Sequence, residues 1–111
     1  MDLKAQARLQ TSLPARLLRE LQGLAQKYRK YGLLLFVFGS FARGDQRQTS
    51  DLDLGVEWHG QHNPRAFLRL YWDVQELPTI RKIDVVDFER TDTDFKRVAT
   101  ADKIYLSEVE D

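Results

Sequence analysis

Six apolar residues in a row, Leu33 to Phe38 (LLLFVF), stop abruptly at Gly39-Ser40. A run this short, with glycine directly behind it, reads as a buried strand; a helix would need about ten residues or more. From Gly39 the chain continues GSFARGDQRQTSDLDL, which places Asp51 and Asp53 one leucine apart. Two carboxylates that close repel each other and are expensive to desolvate. A fold that seats them beside its core has to supply positive charge there.

The flanking sequence supplies helices and further strands. Residues 1–11 read as a polar leader, of the kind that is mobile at a chain terminus. Ser12-Leu13-Pro14 is a helix start, with Ser12 as the cap and Pro14 in the first turn. Leu17, Leu18, Leu21, Leu24, Ala25 and Tyr28 recur at three- and four-residue spacing, which predicts an amphipathic helix over residues 14–30, ended by Gly32. Residues 40–43 start a short helix, and residues 45–50 are turn-like. Over residues 51–57, Asp51, Asp53, Gly55 and Glu57 alternate with Leu52, Leu54 and Val56, the period of a strand with one buried face. After a loop over residues 58–63, Asn63-Pro64 opens a second long helix, with Pro78 ending that region. Residues 80–88 form a third strand centred on Ile83, Val85 and Val86. Thr91 to Asp94 cap a short helix that ends near Thr100, and residues 104–106 make a brief terminal strand. The order predicts a small α/β (α+β) fold, a mixed β-sheet with helices packed against it.

Composition narrows the class. At 111 residues the chain suits one domain, 1–111. Lysine plus arginine equal aspartate plus glutamate, 17 each, so no basic excess marks a nonspecific nucleic-acid binder, and no direct nucleic-acid partner is expected. The absence of cysteine removes disulfides and thiolate metal sites. No apolar leader segment is visible, and the longest apolar run is far too short to cross a bilayer, so a cytoplasmic address without membrane contact is the default expectation. Zero net charge and an aromatic second helix lead to an expectation of partner binding or a homo-oligomer.

The chemistry gathers around the opening stretch. Glycine at a strand end lets a phosphate approach the backbone closely. A helix beginning there adds free amide groups and the positive end of its dipole. Ser40 offers a hydroxyl donor, and Arg43 and Arg47 are nearby cations. Asp51 and Asp53 share one strand face because side chains alternate. Parallel carboxylates suit a hard cation such as Mg²⁺, bound through one or two carboxylates and phosphate oxygens. Asp84, within KIDVVD, is a third acid from another strand. Three such acids are able to hold two metal ions roughly 4 Å apart, the arrangement used for in-line phosphoryl displacement.

The pattern Gly39-Ser40 followed by Asp51-Leu52-Asp53 resembles the signature of the DNA polymerase β-like nucleotidyltransferases. The longer stretch FGSFARGDQRQTSDLDLGV is similar to the minimal nucleotidyltransferase branch, and the likeness continues through KIDVVDF and the segment ending DKIYL. The resemblance implies a polymerase β-like fold and transfer of AMP from ATP, with two Mg²⁺ ions. The acceptor it implies is a tyrosine hydroxyl on a helical HEPN-type toxin encoded nearby, which would make this chain an antitoxin. Carried over by motif, Gly39 and Ser40 hold the triphosphate with help from Arg43, and Asp51 and Asp53 bind metal. Asp84 completes the metal site and helps activate the attacking hydroxyl. Asp87 is the rival third carboxylate, on the opposite face of a regular strand. Rival functions are a small-molecule acceptor and an antitoxin that blocks its partner without catalysis.

Three other features read as structure. His59 and His62 are surface histidines, since H-x-x-H without a third ligand makes a poor zinc site. Tyr71-Trp72 is core or interface packing. The run ERTDTD is a solvated, helix-capping segment.

Overall fold

In the computed structural model, which describes residues 3–107, two helices precede the first strand. They are α1 (Leu3–Ser12) and α2 (Ala15–Tyr28), followed by a 3-10 turn at Arg29–Tyr31. Strand β1 (Leu33–Phe38) leads to the one-turn helix α3 (Ser40–Arg43), then β2 (Leu52–Trp58), α4 (Pro64–Gln75) and β3 (Ile83–Asp87). A second 3-10 turn, α5 (Thr93–Ala99) and the two-residue β4 (Ile104–Tyr105) complete the order.

The four strands form one mixed sheet in the order β3-β2-β1-β4. β1 runs antiparallel to both β2 and β4, whereas β2 and β3 are parallel and joined through α4. β1 is therefore central, which explains why its sequence does not alternate: all six residues are buried. Leu33, Leu35 and Val37 join the main core with Leu17, Leu18 and Leu21 of α2 and Ala66, Leu70 and Val74 of α4. Phe36 and Phe38 face the other way and meet Phe88 in a smaller aromatic core. Gly55 makes that core possible, because a Cβ there would lie 2.4 Å from the Phe36 ring. The two long helices are tied together by Asp73, which accepts hydrogen bonds from the Tyr28 hydroxyl at 2.6 Å and Lys27 Nζ at 3.2 Å.

Three expectations need correction. The polar leader over residues 1–11 is a helix from Leu3 onward, with Ala5 and Leu9 buried in the main core. Its signal is thin because only these two apolar positions, four apart, touch the core among polar neighbours. Ser12 does not cap α2; its hydroxyl donates back to the Arg8 carbonyl at 2.9 Å, and Pro14 occupies the cap position. The third strand begins at Ile83 rather than residue 80, and Ile80 is wholly exposed. Asp92 does cap α5, accepting from the Phe95 amide at 2.8 Å. Among the described residues, no helix is long and apolar enough to cross a membrane.

Candidate active site

The antiparallel pairing of β1 with β2 sets Phe38 opposite Asp53, and the parallel pairing of β2 with β3 sets Asp53 opposite Asp84. The turn after β1, the D-x-D segment and the third strand thus meet at one end of the sheet. Asp51 lies one residue before β2 and is exposed, while Asp53 and Asp84 are half-buried. Burial comes first among the causes that hold the Asp53 carboxyl above its usual range, followed by repulsion from Asp84 and then Asp51. Arg43 and Lys82 oppose that shift. The cluster is short of positive charge.

Gly39 adopts φ 72° and ψ −149°, a conformation L side chains rarely take. A Cβ on it would lie 2.5 Å from Asp53 Oδ2. Glycine is therefore demanded here by the approach of Asp53 as well as by the backbone. α3 spans a single turn, too short for a substantial dipole, and the Ala42 and Arg43 amides both turn back onto the Gly39 carbonyl. The Arg8 guanidinium of α1 donates to the Ala42 carbonyl and holds this turn from outside. Arg81 holds the other side, donating to the Ser50 carbonyl at 2.8 Å with its guanidinium over the Phe41 ring. Arg43 pairs with Asp45 at 3.2 Å in an exposed contact; Arg47 is exposed.

Beside the carboxylates an open cleft of about 600 Å³ is lined by Asp53, Asp84, Lys82, Phe38, Tyr71 and Phe95. Lys82, which the motif reading passed over, stands 3.9 Å from Asp51 and 3.8 Å from Asp84. Its position two residues before Asp84 was the available signal, since alternation puts both on one strand face. Tyr71 is half-buried on the cleft wall. Trp72 is 57% exposed, which removes it from the core.

Asp87 is placed elsewhere. It pairs in register with Val56, is buried, and accepts from Trp58 Nε1 at 3.1 Å and the Glu89 amide at 3.0 Å. His62 Nε2 lies 2.7 Å from its second oxygen. His62 is thus anchored to a buried acid rather than being a plain surface side chain, while His59 is exposed.

Among the described residues, no three His, Asp or Glu side chains are gathered closely enough to hold a metal ion as they stand. In chemistry the donor set nevertheless fits a hard divalent cation. Asp51, Asp53 and Asp84 offer only oxygen, and the three carboxylates lie close enough for Asp84 and Asp51 to repel Asp53.

The chain matches a family model described as "Polymerase beta, Nucleotidyltransferase" over residues 19–110, and it belongs to that family of nucleotidyltransferases. It is 36% identical over 50 residues to a relative from Methanocaldococcus jannaschii named "Putative protein adenylyltransferase MJ1215". That alignment covers 45% of this chain and 57% of the relative, so the match spans little more than half the relative's length. Among solved structures, that of a toxin-antitoxin with AMP-PNP superimposes with a TM-score of 0.57 at 20% identity, over 80% of this chain and 74% of the other. A mutant of the toxin-antitoxin MntA-HpeT gives 0.56 at 18% identity over the same shares. At these identities the likeness establishes the polymerase β-like fold.

Proposed function

We propose that this chain is a Mg²⁺-dependent adenylyltransferase that moves AMP from ATP to a hydroxyl of a partner protein. The best candidate is a tyrosine of a helical HEPN-type toxin, with this chain acting as the antitoxin. The observation that carries the reading is the cross-strand placement of Asp53 beside Asp84 under the Gly39-Ser40 turn. Family membership supplies the reaction type. The likeness to an archaeal putative protein adenylyltransferase supports a protein acceptor, and the likeness to two toxin-antitoxin structures, one with AMP-PNP, supports the class of partner and the use of an ATP-like nucleotide.

Asp51, Asp53 and Asp84 would hold the metal ions, which when bound neutralise phosphate charge and lower the pKa of a coordinated hydroxyl. Gly39 keeps the strand-end turn open, and Ser40 donates its hydroxyl to a phosphate oxygen. Arg43 adds positive charge at the rim. Asp84 orients the acceptor hydroxyl and takes its proton. The acceptor oxygen bonds to the α-phosphorus in line, the α–β phosphoanhydride bond breaks, and pyrophosphate carries away that electron pair. Tyr71 and Phe95 line the cleft together with Asp84, and planar walls suit an aromatic acceptor.

The test uses ATP labelled at the α-phosphate, the purified chain, Mg²⁺ and the helical protein encoded beside it. The expected result is label on a tyrosine of that protein with one pyrophosphate released per AMP. Full neutralisation of the partner by an Asp51→Asn variant, with no label transferred by the wild type, would replace this reading with steric blocking.

A further inference from the structure

We propose that Lys82 is a resident counter-ion of the carboxylate cleft. Its ammonium fills the gap between Asp51 and Asp84 and gives way to a divalent cation most readily when a polyphosphate offers it another anion. The inference rests on the assignment of these acids to metal binding made above.

Lys82 Nζ lies 3.9 Å from Asp51 Oδ2 and 3.8 Å from Asp84 Oδ1, so one ammonium serves two acids from different segments. Its backbone cannot move freely, because its carbonyl accepts from the Leu52 amide at 3.0 Å within the β2–β3 pairing. The side chain can move, being 70% exposed. Among the described residues, Lys82 has no other ion-pair partner. It also lines both the 600 Å³ cleft that holds Asp53 and Asp84 and an adjoining depression of about 480 Å³ that holds Ser50, Asp51 and Arg81. Lys82 is the residue common to both linings.

Contacts near 4 Å by an exposed ammonium are loose and screened, so Lys82 neutralises the acids without locking onto them. An ammonium and a divalent cation repel and cannot share that gap. A lysine is a mobile point charge well suited to a phosphate oxygen. Metal entry and polyphosphate binding are therefore coupled through Lys82, and each strengthens the other by the same factor.

The experiment measures Mn²⁺ binding by electron paramagnetic resonance, without nucleotide, in wild type, Lys82→Met and Lys82→Arg. Lys82→Met is expected to bind bare Mn²⁺ about tenfold more tightly, equivalent to about 1.4 kcal/mol. Lys82→Arg should stay near wild type, and adding Asp51→Asn to Lys82→Met should erase the gain. With MnATP the order reverses: the wild type binds more tightly than Lys82→Met, because its lysine now meets phosphate, and tighter MnATP binding by Lys82→Met overturns the coupling. Equal or weaker Mn²⁺ binding by a folded Lys82→Met, checked by thermal melting, overturns the counter-ion role alone. If none of the proteins binds Mn²⁺ with or without ATP, the metal assignment fails and this inference falls with it.

Discussion

The β2–β3 ladder carries acids at both ends, and the two ends treat them in opposite ways. At one end Asp53 and Asp84 are register partners, with a loosely held Lys82 and an exposed Arg43 as the cations near them. At the other end Glu57 and Asp87 have partners on both carboxylate oxygens. Glu57 accepts from Lys103 Nζ at 3.1 Å and from the Tyr105 hydroxyl. Asp87 is held by Trp58, His62 and the Glu89 amide. An acid held on both oxygens braces the fold, because breaking a contact leaves a buried charge less compensated. An acid left beside another acid costs stability and persists where something outside the chain repays it. Asp84 and Asp87 stand three residues apart on one strand, and on the proposed function this difference gives chemistry to Asp84 and architecture to Asp87.

The sharpest way to break that contrast is Asp84→Asn. It should lower AMP transfer about a thousandfold, roughly 4 kcal/mol of barrier, while leaving the melting temperature at or above that of the wild type. Relief of the repulsion on Asp53 gives the sign of the stability change. A variant that unfolds but still transfers AMP when folded would show that Asp84 belongs with the bracing acids.

Asp87→Ala should do the reverse. Losing hydrogen bonds from Trp58 and the Glu89 amide, together with the His62 contact, should cost about 2–3 kcal/mol in urea unfolding. Transfer per folded molecule should be unchanged, and Asp87→Asn should be active as well. A dead but stable Asp87 variant would exchange the roles of the two ends.

Asp73 is a further bracing acid, between the two long helices. Burial and then the hydrogen bond to Asp73 raise the Tyr28 phenol well above its ordinary value. The folded state thus holds this proton more tightly than the unfolded chain does. The resulting stability is fully present below the ordinary tyrosine pKa of about 10 and is lost as pH rises above it. Tyr28→Phe should cost about 1.5 kcal/mol near neutrality, and its unfolding midpoint should fall less steeply than wild type between about pH 9 and 11. Tyr105, raised by burial and then by its bond to Glu57, adds a loss of the same sign to both proteins. Identical slopes in the two proteins would remove Tyr28 from the bracing network.

The smallest effect is expected at Arg43. Its guanidinium is exposed and already paired with Asp45, so Arg43→Ala should weaken MgATP binding by about 0.5 kcal/mol, roughly twofold. A loss of a hundredfold in calorimetric titration would make Arg43 a principal triphosphate ligand and the rim of the cleft more ordered than its exposure implies.

Much of this arrangement is visible in the residues alone. LLLFVF followed by glycine specifies a buried strand and its end to the residue, because a short apolar run has few other ways to hide. The alternation from Asp51 to Glu57 specifies which residues of β2 share a face, since a strand's period is fixed by its backbone geometry. The D-x-D spacing, the glycine at position 39 and an acid in the third strand could therefore be named as a candidate set. The first helix could not, because Ala5 and Leu9 carry too little apolar pattern to stand out.

What the tertiary structure alone decided is which acid stands beside which. Alternation puts Asp84 and Asp87 on opposite faces but cannot say which face meets Asp53. That choice depends on how α4 returns the chain to β2, and a slip of one residue in the parallel register would have exchanged the faces of Asp84 and Asp87 and turned Asp84 away from Asp53. The same pairing decides that Gly39 must lack a side chain on account of Asp53, and that Lys82 reaches Asp51 across two segments. Local periodicity is a property of a few consecutive bonds and survives in the sequence. Register is settled by the burial of whole elements against one another, and it exists only once the sheet has formed.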